Sequence, residues 1–150
     1  MLTLRPMQGR LSPEVADAIA ALAARSHQDA WSPQSYHSTG DHILCVVAEN
    51  GPTLVGFALL SLVAGECEVL ELVVDEAVRR QGIGARLLDT AQKIAADRGA
   101  STFYLEVRAS NEGARALYKK AGFAEIGRRS GYYRSPCEDA VLMKREGKDG

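Results

Sequence analysis

The segment Arg79-Arg80-Gln81-Gly82-Ile83-Gly84-Ala85 carries residue types that hold phosphate, in an order that suits the task. It follows an apolar run (Val69, Leu70, Leu72, Val73, Val74) and opens a helical pattern. Glycines let a backbone come close to its ligand. The first amides of a helix have no internal partner and point at an anion placed there. Arginine adds a charged, forked donor. A strand, a basic glycine loop and a helix start therefore predict a pyrophosphate cradle. Spelling excludes two common cradles. A P-loop needs Lys and then Ser or Thr after its last glycine, where Ala85 and Arg86 stand. A dinucleotide fingerprint needs a third small residue where Leu87 stands.

A second block, Leu105-Glu106-Val107-Arg108-Ala109-Ser110-Asn111, runs on to Ala116-Leu117-Tyr118-Lys119-Lys120-Ala121-Gly122-Phe123. The spelling Arg79-x-x-Gly82-x-Gly84 resembles the acetyl-coenzyme A loop of the GCN5-related N-acetyltransferase (GNAT) superfamily, and the second block resembles the later part of the same motif. In detail the chain is similar to the bacterial RimI-type ribosomal-protein alanine N-acetyltransferases, over residues 70–143 most fully. Upstream, His27, Trp31 and Ser32 match a family pattern of His followed by Trp-Ser.

The resemblance implies roles. Acetyl-coenzyme A is the co-substrate, with no metal. Backbone groups of Leu72, Val73 and Val74 would hold pantetheine and polarise the acetyl carbonyl. Arg80, Gln81, Gly82, Ile83, Gly84 and Ala85 would bind the pyrophosphate, with Arg79 at the rim. Glu106 matches the family's general base. Its neighbours Leu105 and Val107 would give it an apolar setting, which raises a carboxylate's pKa. Glu71 is the competing base, because other branches place a glutamate on the fourth strand. Tyr118 matches the general acid for the coenzyme thiolate. Asn111, seven residues earlier, would meet the cofactor near the helix start, or serve as an N-cap. Tyr132 and Tyr133 sit in a basic, aromatic loop (residues 128–134) and match a tyrosine pair that lines the acceptor groove. Arg134 stands where a proline often follows that pair. Trp31 would form the opposite wall.

Acceptor chemistry favours an α-amine. Its reference pKa of about 7.7–8.0 leaves roughly a tenth neutral at pH 7, against about one lysine amine in a few thousand. An α-amine asks less of a single glutamate. That agrees with the implied reaction on the N-terminal alanine of a ribosomal protein. The alternatives are a lysine or small-amine acetyltransferase, and a catalytically silent acyl-coenzyme A-binding module. Retention of both Glu106 and Tyr118 argues against the last.

The elements that must position these residues follow from pattern. A first strand is expected over residues 2–5. Ser12-Pro13 starts a helix with an apolar face at Val15, Ala18, Ile19, Leu22 and Ala23, and Ser32-Pro33 starts a shorter one. Strands are expected over 43–49 and 53–61, joined at Asn50-Gly51-Pro52 as a hairpin, and over 67–74. A long helix spans 82–98, burying Ile83, Leu87, Ala91 and Ile94 and ending at Gly99. A strand over 102–107, a helix over 111–121 and strands over 123–128 and 138–144 complete the chain. This is a single N-acetyltransferase domain over 1–150, an α/β (α+β) fold with a mixed, mostly antiparallel sheet and helices on both faces. The resemblance adds that the fourth and fifth strands splay between residues 71–74 and 105–107, with a bulge in the fourth.

Composition bounds the rest. A net charge of −1 implies no strong nucleic-acid or membrane field. The opening residues carry no apolar signal core and no apolar run is long enough for a bilayer, so a cytoplasmic location is expected. Cys45, Cys67 and Cys137 are an odd, widely spaced set, read as reduced thiols. His27, His37 and His42 lack ligand spacing. The charged tail from Lys144 to Gly150 reads as solvated.

Overall fold

Alternating apolar side chains make the strands of this chain, and 3.6-residue spacing makes its helices. The computed structural model describes residues 1–27, 29–134 and 136–147. The elements are β1 (Leu2–Gln8), α1 (Pro13–Ser26), α2 (Pro33–His37), β2 (Ile43–Asn50), β3 (Thr53–Val63), β4 (Glu66–Val74), a 3-10 turn (Glu76–Val78), α3 (Ile83–Asp97), β5 (Thr102–Arg108), α4 (Glu112–Lys120), β6 (Ala124–Tyr133) and β7 (Glu138–Glu146). Seven strands form one sheet in the order β1-β2-β3-β4-β5-β7-β6. β4 and β5 are parallel, and every other neighbouring pair is antiparallel.

Helices cover both faces. On one, Leu87, Leu88 and Ala91 of α3 and Tyr118 of α4 pack with Val46, Leu60, Val69, Leu105 and Val107. On the other, Ile19 and Leu22 of α1 and Tyr36 of α2 pack with Val47, Phe57, Leu59 and Val73. Each fully buried aliphatic side chain contributes about 1.5–3 kcal/mol over its exposed state. Ser12 caps α1 by accepting from Val15 N–H at 3.3 Å, with Pro13 in the first turn. The buried stripe of α1 includes Ala16 and Ala20, while Val15 and Ala18 lie half-buried at its edge. The helix packs by a wider stripe than the expected one.

β1 continues through Pro6 to Gln8, because it is an edge strand paired with β2 alone, where a missing N–H is tolerated. The segment 128–134, expected as a loop, is mostly strand, since β6 runs to Tyr133. The β6–β7 register shifts between Arg129 and Tyr133, Gly131 takes φ 59°, and its N–H donates to Asp139 Oδ1 at 3.0 Å instead of to the ladder. A glycine that reads as loop is here the pivot of an irregular strand. β7 extends to Glu146, so the tail begins later than expected; residues 148–150 lie outside the described residues.

The β4–β5 ladder covers only Glu66–Val69 against Thr102–Leu105, and beyond it the strands part. Leu105 is the last residue of β5 paired with β4, while its other edge stays paired with β7 to Arg108, so the opening starts at Glu106 rather than at Leu105. On its other edge β4 pairs Val69 with Leu60 and Glu71 with Leu59, which leaves Leu70 as a bulge. The bulge bends β4 where the two strands diverge.

Candidate active site

A cleft of about 970 Å³ lies at this opening. It is lined by Leu72, Val73 and Val74, by Arg79, Arg80, Gly82, Ile83, Gly84 and Ala85, by Glu106, Asn111 and Tyr118, and by Trp31, Tyr132 and Tyr133. The expected site residues are thus brought to one place, except Gln81, which does not line it.

The phosphate end is built from backbone. Arg86 N–H makes the first bond of α3, to Gly82 O at 3.1 Å, so the amides of Ile83, Gly84 and Ala85 have no partner within the helix. Gly82 is the N-cap at φ 75°, and Arg80 also takes positive φ, at 67°. A non-glycine residue held there costs about 1–3 kcal/mol. Arg79 turns back on the strand and donates Nε–H to Val74 O at 3.2 Å, so it braces the loop while still lining the cleft. A Cβ on Gly84 would sit 3.2 Å from Leu117 Cδ1 and 3.6 Å from Val74 Cγ2, so this glycine sets how closely α3 approaches α4 and β4.

Between the strands, Asp75 N–H donates to Val55 O across β3. Amide direction alternates along an antiparallel strand. Val73 therefore also faces β3, and the backbone groups that face the opening are those of Leu72 and Val74. This corrects the expected trio: Val73 lines the cleft but its amide belongs to the sheet.

Glu106 and Tyr118 occupy opposite faces of the sheet. Leu105 and Val107 pack with Tyr118 under α3 and α4, so Glu106, one residue from each, points the other way. The apolar setting expected for Glu106 is consequently absent, because those neighbours face away. Its carboxylate instead lies 3.6 Å from Arg129 Nη2 and is about one-fifth exposed. The same carboxylate raises the Tyr132 phenol above its ordinary value. Glu68 lines the cleft beside Glu106 and is also raised, first by burial and then by the Glu106 charge. Tyr118 is buried against Phe123, and burial pushes its phenol well up, which keeps it a proton donor at neutral pH. Asn111 caps α4, its Oδ1 accepting from Ala114 N–H at 3.1 Å, and also lines the cleft.

Glu71 is differently placed. Its Oε1 accepts from Tyr36 O–H at 2.6 Å and its Oε2 from His27 Nε2 at 2.9 Å. Asp29 N–H donates to His27 Nδ1 at 3.2 Å, which puts the ring proton on Nε2. Trp31 stacks on Tyr36 with centroids 5.4 Å apart. Burial pushes the Tyr133 phenol up to about 12.

Arg108, Asp29 and Glu68 were missed by sequence reasoning. Arg108 donates to both oxygens of Asp29 at 2.7 and 2.8 Å and to Glu138 at 3.0 Å. Its position two residues after Glu106, on the same strand face, was the available signal. Arg79 and Arg80 line the cleft at the helix end, while at the other end the carboxylates Asp29, Glu68, Glu71 and Glu106 outnumber the one lining arginine, Arg108. Among the described residues no group of three His, Cys, Asp or Glu could hold a metal ion. No described helix is long and apolar enough to cross a membrane. Cys45 and Cys67 are buried free thiols pushed up to about 12 by burial, and Cys137 is exposed.

The chain is similar to known acetyltransferases. An N-alpha-acetyltransferase RimI of Mycobacterium tuberculosis is 39% identical over 81% of this chain and 78% of its own length. A [ribosomal protein bS18]-alanine N-acetyltransferase of Escherichia coli K12 is 35% identical over 88% of this chain and 93% of its own. The crystal structure of the ribosomal-protein-S18-alanine N-acetyltransferase from Escherichia coli superimposes with a TM-score of 0.90 at 31% identity, covering 100% of this chain and 97% of that one. Residues 14–123 match the model of the acetyltransferase (GNAT) family. The chain belongs to that family, whose acyl donor is acetyl-coenzyme A.

Proposed function

We propose that this chain, as one acetyltransferase domain over residues 1–150, transfers acetyl from acetyl-coenzyme A to the α-amine of an N-terminal alanine, on a ribosomal protein. The observation that carries this reading is the placement of Glu106 and Tyr118 on opposite sheet faces at the mouth of one opening between β4 and β5. An acceptor amine and a leaving thiol can then be served from two sides of the sheet. The names of the relatives, which act on the alanine of bS18, favour the α-amine acceptor.

Acetyl-coenzyme A supplies the acetyl thioester. Free amides at the start of α3, with Arg79 and Arg80, would neutralise its phosphates. The Leu72 backbone and the Val74 N–H would hold the pantetheine arm in the opening, the Val74 carbonyl being taken by Arg79, and an N–H there would polarise the carbonyl of the thioester. Glu106 would take the proton from the acceptor ammonium, directly or through one water, so that the amine lone pair is free to form the C–N bond. When the C–S bond breaks, Tyr118 would deliver its proton to the thiolate sulfur, and the second proton that the nitrogen sheds on becoming an amide would return through water to the phenolate. Tyr132, Tyr133 and Trp31 would wall the acceptor residue, and Asn111 would contact the cofactor near the start of α4.

The test is thiol release from acetyl-coenzyme A with a peptide bearing a free N-terminal alanine, against the same peptide with its α-amine blocked and one lysine free. Turnover on the first alone supports the reading. Turnover on the blocked peptide alone makes the protein a lysine acetyltransferase, and silence on both moves it to small amines or to a silent module.

A further inference from the structure

We propose that Arg108 is the positioning residue of the acceptor pocket, tying the segment between α1 and α2 and the β6–β7 turn to one guanidinium beside the opening. The identity of the acceptor rests on the reading above; the tie itself rests on geometry.

Past Val69 and Leu105 no ladder joins β4 to β5, so other bonds must fix what lies over the gap. The segment after α1 reaches both strands. His27 donates to Glu71 on β4 at 2.9 Å, and Asp29 takes two bonds from Arg108 on β5 at 2.7 and 2.8 Å. The Asp29 N–H to His27 Nδ1 bond joins the two anchors. Trp31 follows, stacked on Tyr36, whose hydroxyl returns to Glu71.

The same guanidinium holds the opposite wall. Arg108 donates to Arg134 O at 3.0 Å, Pro136 O at 2.9 Å and Glu138 Oε1 at 3.0 Å, and its Cζ lies 4.6 Å from the Tyr133 ring centroid. Arginine has five N–H donors. Five bonds leave Arg108, one from Nε and two from each terminal nitrogen. No donor remains for a phosphate, a carboxylate or the acceptor backbone. Its effect on the reaction must pass through Asp29 with Trp31 on one side and Tyr133 on the other. Lysine cannot replace it, because an ammonium has three donors and no planar fork.

The test uses Arg108→Lys, Asp29→Ala and the double variant, with acetyl-coenzyme A and the alanine peptide. Trp31 is the chain's one tryptophan, so acrylamide quenching of its fluorescence reads the wall without any substrate. Each single variant should raise the acceptor KM about tenfold, and the double variant should be no worse than Arg108→Lys, as coupled partners are. The kcat and the acetyl-coenzyme A KM should stay within about twofold, while Trp31 quenching rises and the far-ultraviolet circular dichroism is kept. Unchanged quenching and acceptor KM in Asp29→Ala would overturn the proposal, even if Arg108→Lys fails to fold. So would additive effects in the double variant. If the parent protein acetylates no alanine peptide, the functional reading fails, and quenching alone still decides the tie.

Discussion

Tyr36 donates its hydroxyl to Glu71 at 2.6 Å, from a ring that is fully buried between Trp31 and Phe57. With His27 on the other oxygen, the Glu71 carboxylate is engaged on both sides. Glu106, on the neighbouring strand, is met instead by Arg129 at 3.6 Å and by the half-exposed Tyr132 phenol, both on the rim of the opening. Two glutamates at one opening are thereby separated into a structural group and a group available to a substrate.

That separation predicts a split between two conservative variants. Glu106→Gln should lower kcat by about 10²–10⁴ with acetyl-coenzyme A binding kept. Glu71→Gln should instead cost about 1–3 kcal/mol of stability, because its new N–H₂ would face the His27 Nε2–H and leave a buried donor unpaired. Steady-state kinetics and thermal melts on both variants check this. A kcat collapse in Glu71→Gln with wild-type melting would move the base to β4.

Tyr118→Phe keeps the ring that packs edge-on against Phe123, centroids 5.9 Å apart, and removes only the proton donor. It should lower kcat with coenzyme A affinity unchanged. The sign of the Tyr118 shift adds a pH expectation. Burial raises the phenol from its ordinary value of 10.0, so the group stays protonated throughout the range below that value. The kcat of the parent protein should therefore show no alkaline fall up to about pH 9 from this group. A fall with a midpoint below that, abolished in Tyr118→Phe, would contradict the burial argument.

The parts of this site that sequence reveals are the local ones. Gly82, Gly84 and the apolar stripe of α3 sit within a few residues of one another, so their spacing alone predicts a strand, a loop and a helix start. The same is true of the Asn111 cap and α4. Arg108 escapes such reading because its partners Asp29 and Glu138 lie 79 and 30 residues away, and only the fold brings them together. The setting of Glu106 was misread for a related reason. Leu105 and Val107 are its neighbours in sequence, yet in a strand they face the opposite side. The β6 segment was misread because Gly131 signals a turn, whereas pairing with β7 absorbs it as an irregularity.

The phosphate end offers two distinguishable glycine variants. At Gly82 a Cβ meets nothing within 4 Å, but φ is 75°, so Gly82→Ala should cost about 1–2 kcal/mol through the backbone. At Gly84 the backbone is helical, and the added methyl would meet Leu117 at 3.2 Å. Gly84→Ala should act by shifting α3 off α4, raising the acetyl-coenzyme A KM while the acceptor KM holds. Isothermal titration with coenzyme A on both variants measures this. Wild-type affinity in both would detach the start of α3 from the cofactor.

Acid stability tests two ion pairs, Arg108 with Glu138 and Arg25 with Asp75. Arg108 and the Ser110 groups hold the Glu138 carboxyl below its ordinary 4.5, with the arginine the larger cause. Asp75 is held below 3.8, first by the Ala77 N–H and then by Arg25. A carboxylate whose folded pKa is lowered stabilises the fold fully above its unfolded value and loses that contribution as pH falls through the folded one. Tm should thus be nearly flat from pH 7 to about 5 and fall below about 4. Glu138→Gln removes one of these groups, so its Tm should be lower at neutral pH and fall less steeply with acid. A slope equal to the parent's would mean that Glu138 titrates as an ordinary surface carboxyl, and that the Arg108 guanidinium binds it no more tightly in the folded state than in the unfolded chain.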